Sequence, residues 1–269
     1  MLLLAERASR VGQFLWSGWS GLAGLSVFAA CWHAAHEAYG SFVLPAPAET
    51  LSSVVALLDD PASWNLVAAT ASRALAGFIL AGLVGTAAGA IAGFYPAILR
   101  LVRSQVTLML GVPPIAWIVL LMIWFGTGAM TVTTTAAVAC LPIVFLGAAD
   151  GIASRDRLLD DMARSLGVGP IKRGIRITLP QLLDRLFPVL VMALGTAFKA
   201  AVMAELLANA GGIGEALAVS RSNLDVATAL AWILLSVCVL LAVEYGMIQP
   251  VRSTLEEWRR AAQPWGVKR

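Results

Sequence analysis

Residues 74–99 read ALAGFILAGLVGTAAGAIAGFYPAIL, with no Asp, Glu, Lys or Arg in the run. A helix needs about 20 mostly apolar residues to cross a bilayer, so the stretch is long enough for one crossing. It is apolar on every side, whereas a helix at the surface of a soluble protein carries a polar stripe. Gly82, Gly85, Gly89 and Gly93 follow one another at spacings of three and four. Small residues on one stripe let a second helix approach closely in lipid, so this span is expected to pack tightly against a neighbour.

The rest of the chain repeats the pattern. Residues 11–32, 105–123, 130–149 and 226–243 are also free of charge, and residues 186–207 are interrupted only by Lys199 and Glu205. Overall, 59% of the 269 residues are hydrophobic and 13% charged, against about 45–50% and about 25% in soluble domains. Mean hydropathy is +0.82. A soluble fold is excluded. The chain reads as one all-α polytopic membrane domain over residues 1–269, with six transmembrane helices near 11–38, 66–95, 104–124, 130–149, 186–208 and 226–249. Cys31, Cys140 and Cys238 all lie in apolar runs, without CxxC or Cys/His spacing, so no metal site or disulfide is expected.

The basic residues orient the spans. Six crossings put both termini on one side, and that side holds sixteen of the nineteen Lys and Arg residues. Seven of them, Arg155, Arg157, Arg164, Lys172, Arg173, Arg176 and Arg185, are in the connection after the fourth span. Basic loops stay in the cytoplasm, so both termini are expected there, in a bacterial inner membrane. The bias also accounts for the +3 net charge, leaving no argument for nucleic acid.

Two polar or broken regions stand out. In the third span, Pro113-Pro114 removes two backbone donors, and the residues from there to Trp117 form either a simple kink or a distortion facing a pore. Between the fourth and fifth spans, residues 151–182 carry Leu158, Leu159, Met162, Leu166 and Ile171 at helical spacing, interrupted by Gly167 and Gly169-Pro170. Two short amphipathic helices are expected there, the second running from Ile171 to Leu179 and stopping at Pro180.

Within that segment, Asp161-Met162-Ala163, Gly167, Ile177 and Leu179-Pro180 stand at the spacing of a known signature. It resembles the Glu-Ala-Ala…Gly…Ile-x-Leu-Pro motif of ATP-binding-cassette importer permeases, with Asp161 and Met162 in place of Glu and Ala. The likeness continues in Val112-Pro113-Pro114-Ile115-Ala116-Trp117, Trp124-Phe125-Gly126-x-Gly128, Ala204-Glu205-Leu206 and Gly211-Gly212-Ile213-Gly214. It is similar to the subgroup that imports nitrate, taurine and alkanesulfonates. Leu110 and Gly111 replace that subgroup's Arg-Pro, and Lys199 replaces a small polar residue. The resemblance implies a type I importer permease fold whose coupling helix docks on a separate ATPase. That partner carries the ATP and Mg, and this chain binds no cofactor. Further implied partners are a periplasmic or extracellular substrate-binding protein and a second permease copy, in a homodimer.

Charges inside the spans mark the path. A lysine at the centre of a spanning helix costs roughly 2.5–3.5 kcal/mol on insertion scales, so Lys199 is expected to face a cavity or a partner. Arg73 and Glu205 lie at similar depth and are expected to pair. Lys199, Glu205, Pro113, Pro114 and Trp117 are the candidate path residues. His33 and His36 read as interfacial. No catalytic residue is assigned. The chain has no GxxxxGK[ST] motif, so an ATP-driven importer needs its ATPase from elsewhere. An ion-gradient-driven secondary transporter is the alternative, but it calls for inverted repeats and embedded acids. An intramembrane enzyme calls for a nucleophile–base pair or metal ligands in the spans.

Overall fold

The computed structural model describes residues 2–261, with side chains described at residue 19 and over 21–246. All regular elements among them are helical: α1 (Leu2–Tyr39), α2 (Pro47–Asp59), α3 (Pro61–Phe94), α4 (Pro96–Gly111), α5 (Pro114–Phe125), α6 (Ala129–Ala153), α7 (Arg157–Ser165), α8 (Pro170–Arg173), a π-helical turn (Gly174–Thr178), α9 (Leu179–Ala208), α10 (Ile213–Ser222) and α11 (Val226–Ala261). Proline opens α2, α3, α4, α5 and α8, where a missing N–H costs nothing because the first turn has no partner for it.

Among the described residues four helical runs are long and apolar enough to cross a membrane: Pro61–Phe94, Ala129–Ala153, Pro170–Ala208 and Val226–Gly246. The α4–α5 pair, bent by 95°, supplies a fifth if it counts as one span. The first of the six expected spans falls on α1, whose side chains before residue 21 lie outside the described set apart from Trp19.

The helix expected over 104–124 is therefore broken in two. Residues that precede proline are pushed out of the helical region. Val112 (ψ 123°) and Pro113 (ψ 140°) are both extended. The Val112 N–H falls back on the Met109 carbonyl at 3.3 Å, and α5 restarts with Pro114 in its first turn.

The core is built on the seam between α3 and α6. A Cβ on Gly77 would lie 2.6 Å from the Thr133 carbonyl oxygen, and one on Gly93 would lie 2.6 Å from that of Ala149. Gly89 abuts the Phe145 carbonyl and Gly85 abuts Val144. The fully buried Ala81 completes the row. The stripe thus runs 77, 81, 85, 89, 93. Gly82 does not belong to it, because nothing lies within 4 Å of where its Cβ would be. One residue turns a helix by about 100°, which carries position 82 off the seam. The other side of α6 receives α9, with Gly147 against Val189 and Gly151 against Leu182. The Cys140 thiol donates to the Ala193 carbonyl at 3.0 Å.

Pro180 does not stop the helix after α8. The run continues unbroken from Pro170 through the π-helical turn into α9. A proline normally clashes with the carbonyl four residues back. Here the wider turn gives room, and the Leu179 N–H reaches five residues back to Gly174. Such one-turn insertions are how helices absorb an awkward residue.

Candidate functional site

Residues 154–182 form a compact element at one end of the bundle. Asp156 caps α7, its Oδ1 accepting the Leu158 N–H at 2.8 Å, and its own N–H donates to Gln181 Oε1 on α9 at 2.7 Å. The C-terminus of α7 closes as a Schellman turn. The Gly167 N–H donates to Arg164 O and the Val168 N–H to Ala163 O, each at 3.0 Å. Gly167 has φ +75° with open space around its Cβ position, so it is required for its left-handed backbone rather than for close approach. Arg173 Nη1 sits 3.3 Å from Asp160 Oδ1 and ties α8 to α7.

The signature residues divide by side. Ala163 is buried, and Ile177 and Pro180 are half-buried. Asp161, Met162 and Leu179 point outward. The outward surface is apolar: Leu158 and Ile171 are 78% and 77% exposed, and Met162, Leu166 and Ile175 are exposed beside them. Periodicity pointed to the first four. Ile175 was passed over, although it stands four residues after Ile171 and so shares its helical face.

A polar knot sits at the opposite end of the bundle. Glu205, 0% exposed, accepts from Arg73 Nη1 at 2.9 Å, from the Thr70 hydroxyl at 2.7 Å and from the Gly214 N–H at 3.2 Å. The Thr70 oxygen in turn accepts the Ile213 N–H at 2.8 Å, and Arg73 also donates to the Gly211 carbonyl. The Gly211 N–H donates to the Glu215 carboxylate. The expected Arg73–Glu205 pair is present, and it fastens the loop between α9 and α10 to α3. Gly212 (φ +118°) and Gly214 leave no room for a Cβ beside the Glu205 side chain. Thr70 and Glu215 carry no sequence signal of their own. Glu205 itself reaches no surface of this chain.

Lys199 lies elsewhere, exposed on α9, with no hydrogen bond or ion pair among the described residues. Pro113 and Pro114 are exposed at the break and Trp117 is half-buried. The structure does not bring them into the Glu205 knot. His36 Nδ1 is 2.7 Å from the Leu44 carbonyl, and Trp32 Nε1 donates to Pro45 O at 3.0 Å, so the end of α1 is tied to the loop that follows it. No cluster of three metal-ligating side chains occurs among the described residues.

The profile of a family described as binding-protein-dependent transport system inner membrane component matches residues 64–250. The chain belongs to that family. It is a membrane-spanning permease of an ABC importer, the subunit type that works with a separate ATPase and a substrate-binding protein. The permease is 25% identical over 225 residues to the taurine transport system permease TauC of Escherichia coli, covering 82% of each chain. It is 28% identical to the E. coli aliphatic sulfonates permease SsuC, covering 64% of this chain and 65% of that one. It is 24% identical to the nitrate import permease NrtB of Leptolyngbya laminosa, covering 56% and 54%. A solved chain of the MetNI methionine ABC transporter shares the fold at TM-score 0.51 and 17% identity, covering 75% of this chain and 94% of that one.

Proposed function

We propose that this permease imports a small anion of the sulfonate or nitrate type, with the end carrying α7 and both termini in the cytoplasm. In this reading α7 and α8 form the face on which the ATPase docks. The observation that carries it is the outward row Leu158, Met162, Leu166, Ile171 and Ile175. Large apolar side chains contiguous on a polar, basic loop mark an interface, and their mount is rigid, fastened by Gln181, Asp160 and the Schellman turn. The anion follows from the substrates in the relatives' names. The orientation follows from the sixteen basic residues on one side.

A single chain of this size encloses no pathway by itself. A second identical copy completes it, with lipid around the pair. ATP and Mg are held by the ATPase. Lys199 and the break at Pro113, Pro114 and Trp117 are assigned to the path, and Glu205 supports it from within by holding the loop before α10.

Reporter fusions after Pro180 are expected to read cytoplasmic and those near Asp59 external. A tagged permease is expected to bring down a cassette ATPase, and Leu158→Glu/Ile171→Glu is expected to release it. An external reading after Pro180, or ATPase retention by the double variant, overturns the docking assignment.

A further inference from the structure

We infer that Lys199 is the residue that makes the translocation path select anions, an inference that rests on the reading of the chain as an importer of a small anion. The helix that carries it has two distinct sides. Leu186, Ala193, Ala197, Ala201, Ala204 and Glu205 face the core and are buried. Met192, Lys199 and Met203 form an exposed row on the other side, with the half-buried Thr196 between them.

A charge in that row needs an explanation, and three are available. The first is snorkelling to the membrane surface. Lys199 is nine residues from the end of α9 at Ala208, about 14 Å along the axis, too deep for its stem to bring the ammonium out at that end. The second is an acid. None stands one turn away on α9, where positions 195, 196, 202 and 203 are Gly195, Thr196, Val202 and Met203. Glu205 is consumed by Arg73. Among the described residues the other acids within spans are Asp150, Asp184 and Glu244. Asp184 is fifteen residues from Lys199 on α9, about 22 Å along the axis, and Asp150 faces Arg103 near the α7 end of α6. Glu244 is eighteen residues from the start of α11 at Val226. That start lies at the α10 end of the bundle, so Glu244 sits about twice as far from it as Lys199 does. Among the described residues neither copy offers a carboxylate within about a turn of the Lys199 depth.

The third explanation is a watery path whose passing solute supplies the counter-charge. Ionisable residues that persist in spans face such cavities. An ammonium there gives three hydrogen-bond donors and no acceptor, which suits the oxygens of a sulfonate, carboxylate or nitrate and repels a cation. Met192 and Met203 beside it are soft and adaptable, able to pack against varied small organic groups. Two copies bring two ammoniums to the same path.

The test uses the full transporter, permease with its ATPase and binding protein, in proteoliposomes. Cys31, Cys140 and Cys238 are replaced by serine or alanine, and Lys199→Cys is introduced. A membrane-impermeant anionic thiosulfonate reagent is expected to label position 199, and no labelling overturns the inference. ATP-driven uptake of ethanesulfonate and nitrate is expected to fall about tenfold or more in Lys199→Cys and in Lys199→Met, since a poorly screened charge acts strongly at short range. Thermal stability in detergent should stay unchanged. Attaching an aminoethyl group to the thiol introduced by Lys199→Cys restores an ammonium and is expected to recover uptake, whereas an uncharged methyl group is not. Unchanged uptake, or equal recovery with either group, overturns the role of Lys199 while leaving the importer reading intact. A wild-type complex that moves neither anion but does move a neutral or cationic solute overturns the anion reading itself.

Discussion

The Arg73 guanidinium lies 2.9 Å from the Glu205 carboxylate across 132 positions of sequence, and the Gly211–Gly214 loop closes over the pair. Removing Glu205 leaves the largely buried Arg73 guanidinium with only the Gly211 carbonyl for a partner, at a cost toward the lower end of about 3–5 kcal/mol. Glu205→Leu is therefore expected to destabilise the permease by that order. Adding Arg73→Met to Glu205→Leu should recover part of the loss. Thermal unfolding of purified protein in detergent checks both, and a double variant as unstable as the two single losses combined would deny the coupling.

The α3–α6 seam separates two glycines of similar sequence context. Gly89→Val must push the Phe145 backbone away, and overpacking of this kind costs about 1–3 kcal/mol. Gly82→Ala meets nothing within 4 Å and should change stability by no more than about 0.5 kcal/mol. The contrast is read from unfolding midpoints of the two variants.

At Gly167 the demand is on backbone conformation. Asparagine tolerates the left-handed region and a β-branched residue does not. Gly167→Asn is expected to keep substrate-stimulated ATP hydrolysis near wild type. Gly167→Val should distort the turn that ends α7, at roughly 1–2 kcal/mol of local strain, and uncouple hydrolysis from transport. Equal hydrolysis and uptake in the two variants would place the coupling elsewhere.

Asp225 precedes α11 and accepts the Thr228 N–H at 3.0 Å. Hydrogen bonds from the Thr228 backbone and hydroxyl hold its carboxyl below the ordinary aspartate value. A carboxyl lowered on folding stabilises the fold above its unfolded value of about 3.9 and loses that contribution as pH falls through the folded value. Asp225→Ala should cost about 0.5–2 kcal/mol at neutral pH, as the loss of a helix cap does. Asp225→Asn should lessen the acid-side loss of thermal stability measured between neutral and acidic buffers.

What the sequence determined by itself is whatever depends on local composition and short spacing. Apolar runs without charge require a membrane, and the Asp161 to Pro180 spacing marks by itself the segment proposed as the docking element. The pairing of Arg73 with Glu205 was also legible, because two opposite charges in lipid at one depth leave each other as the cheapest partner. Tertiary structure decided the rest. Which glycines form the seam depends on how α6 lies against α3, so Ala81 replaces Gly82 in the row. Prolines have fixed local chemistry but an outcome set by the surrounding turns. Pro113-Pro114 breaks the run from α4 to α5 through 95°, while Pro180 is carried through by the π-helical turn before it. Lys199 shows the division most plainly. Its charge is written in the sequence, but its isolation is not, since only the folded chain turns it to the exposed side of α9, away from the Arg73–Glu205 pair and without a partner among the described residues.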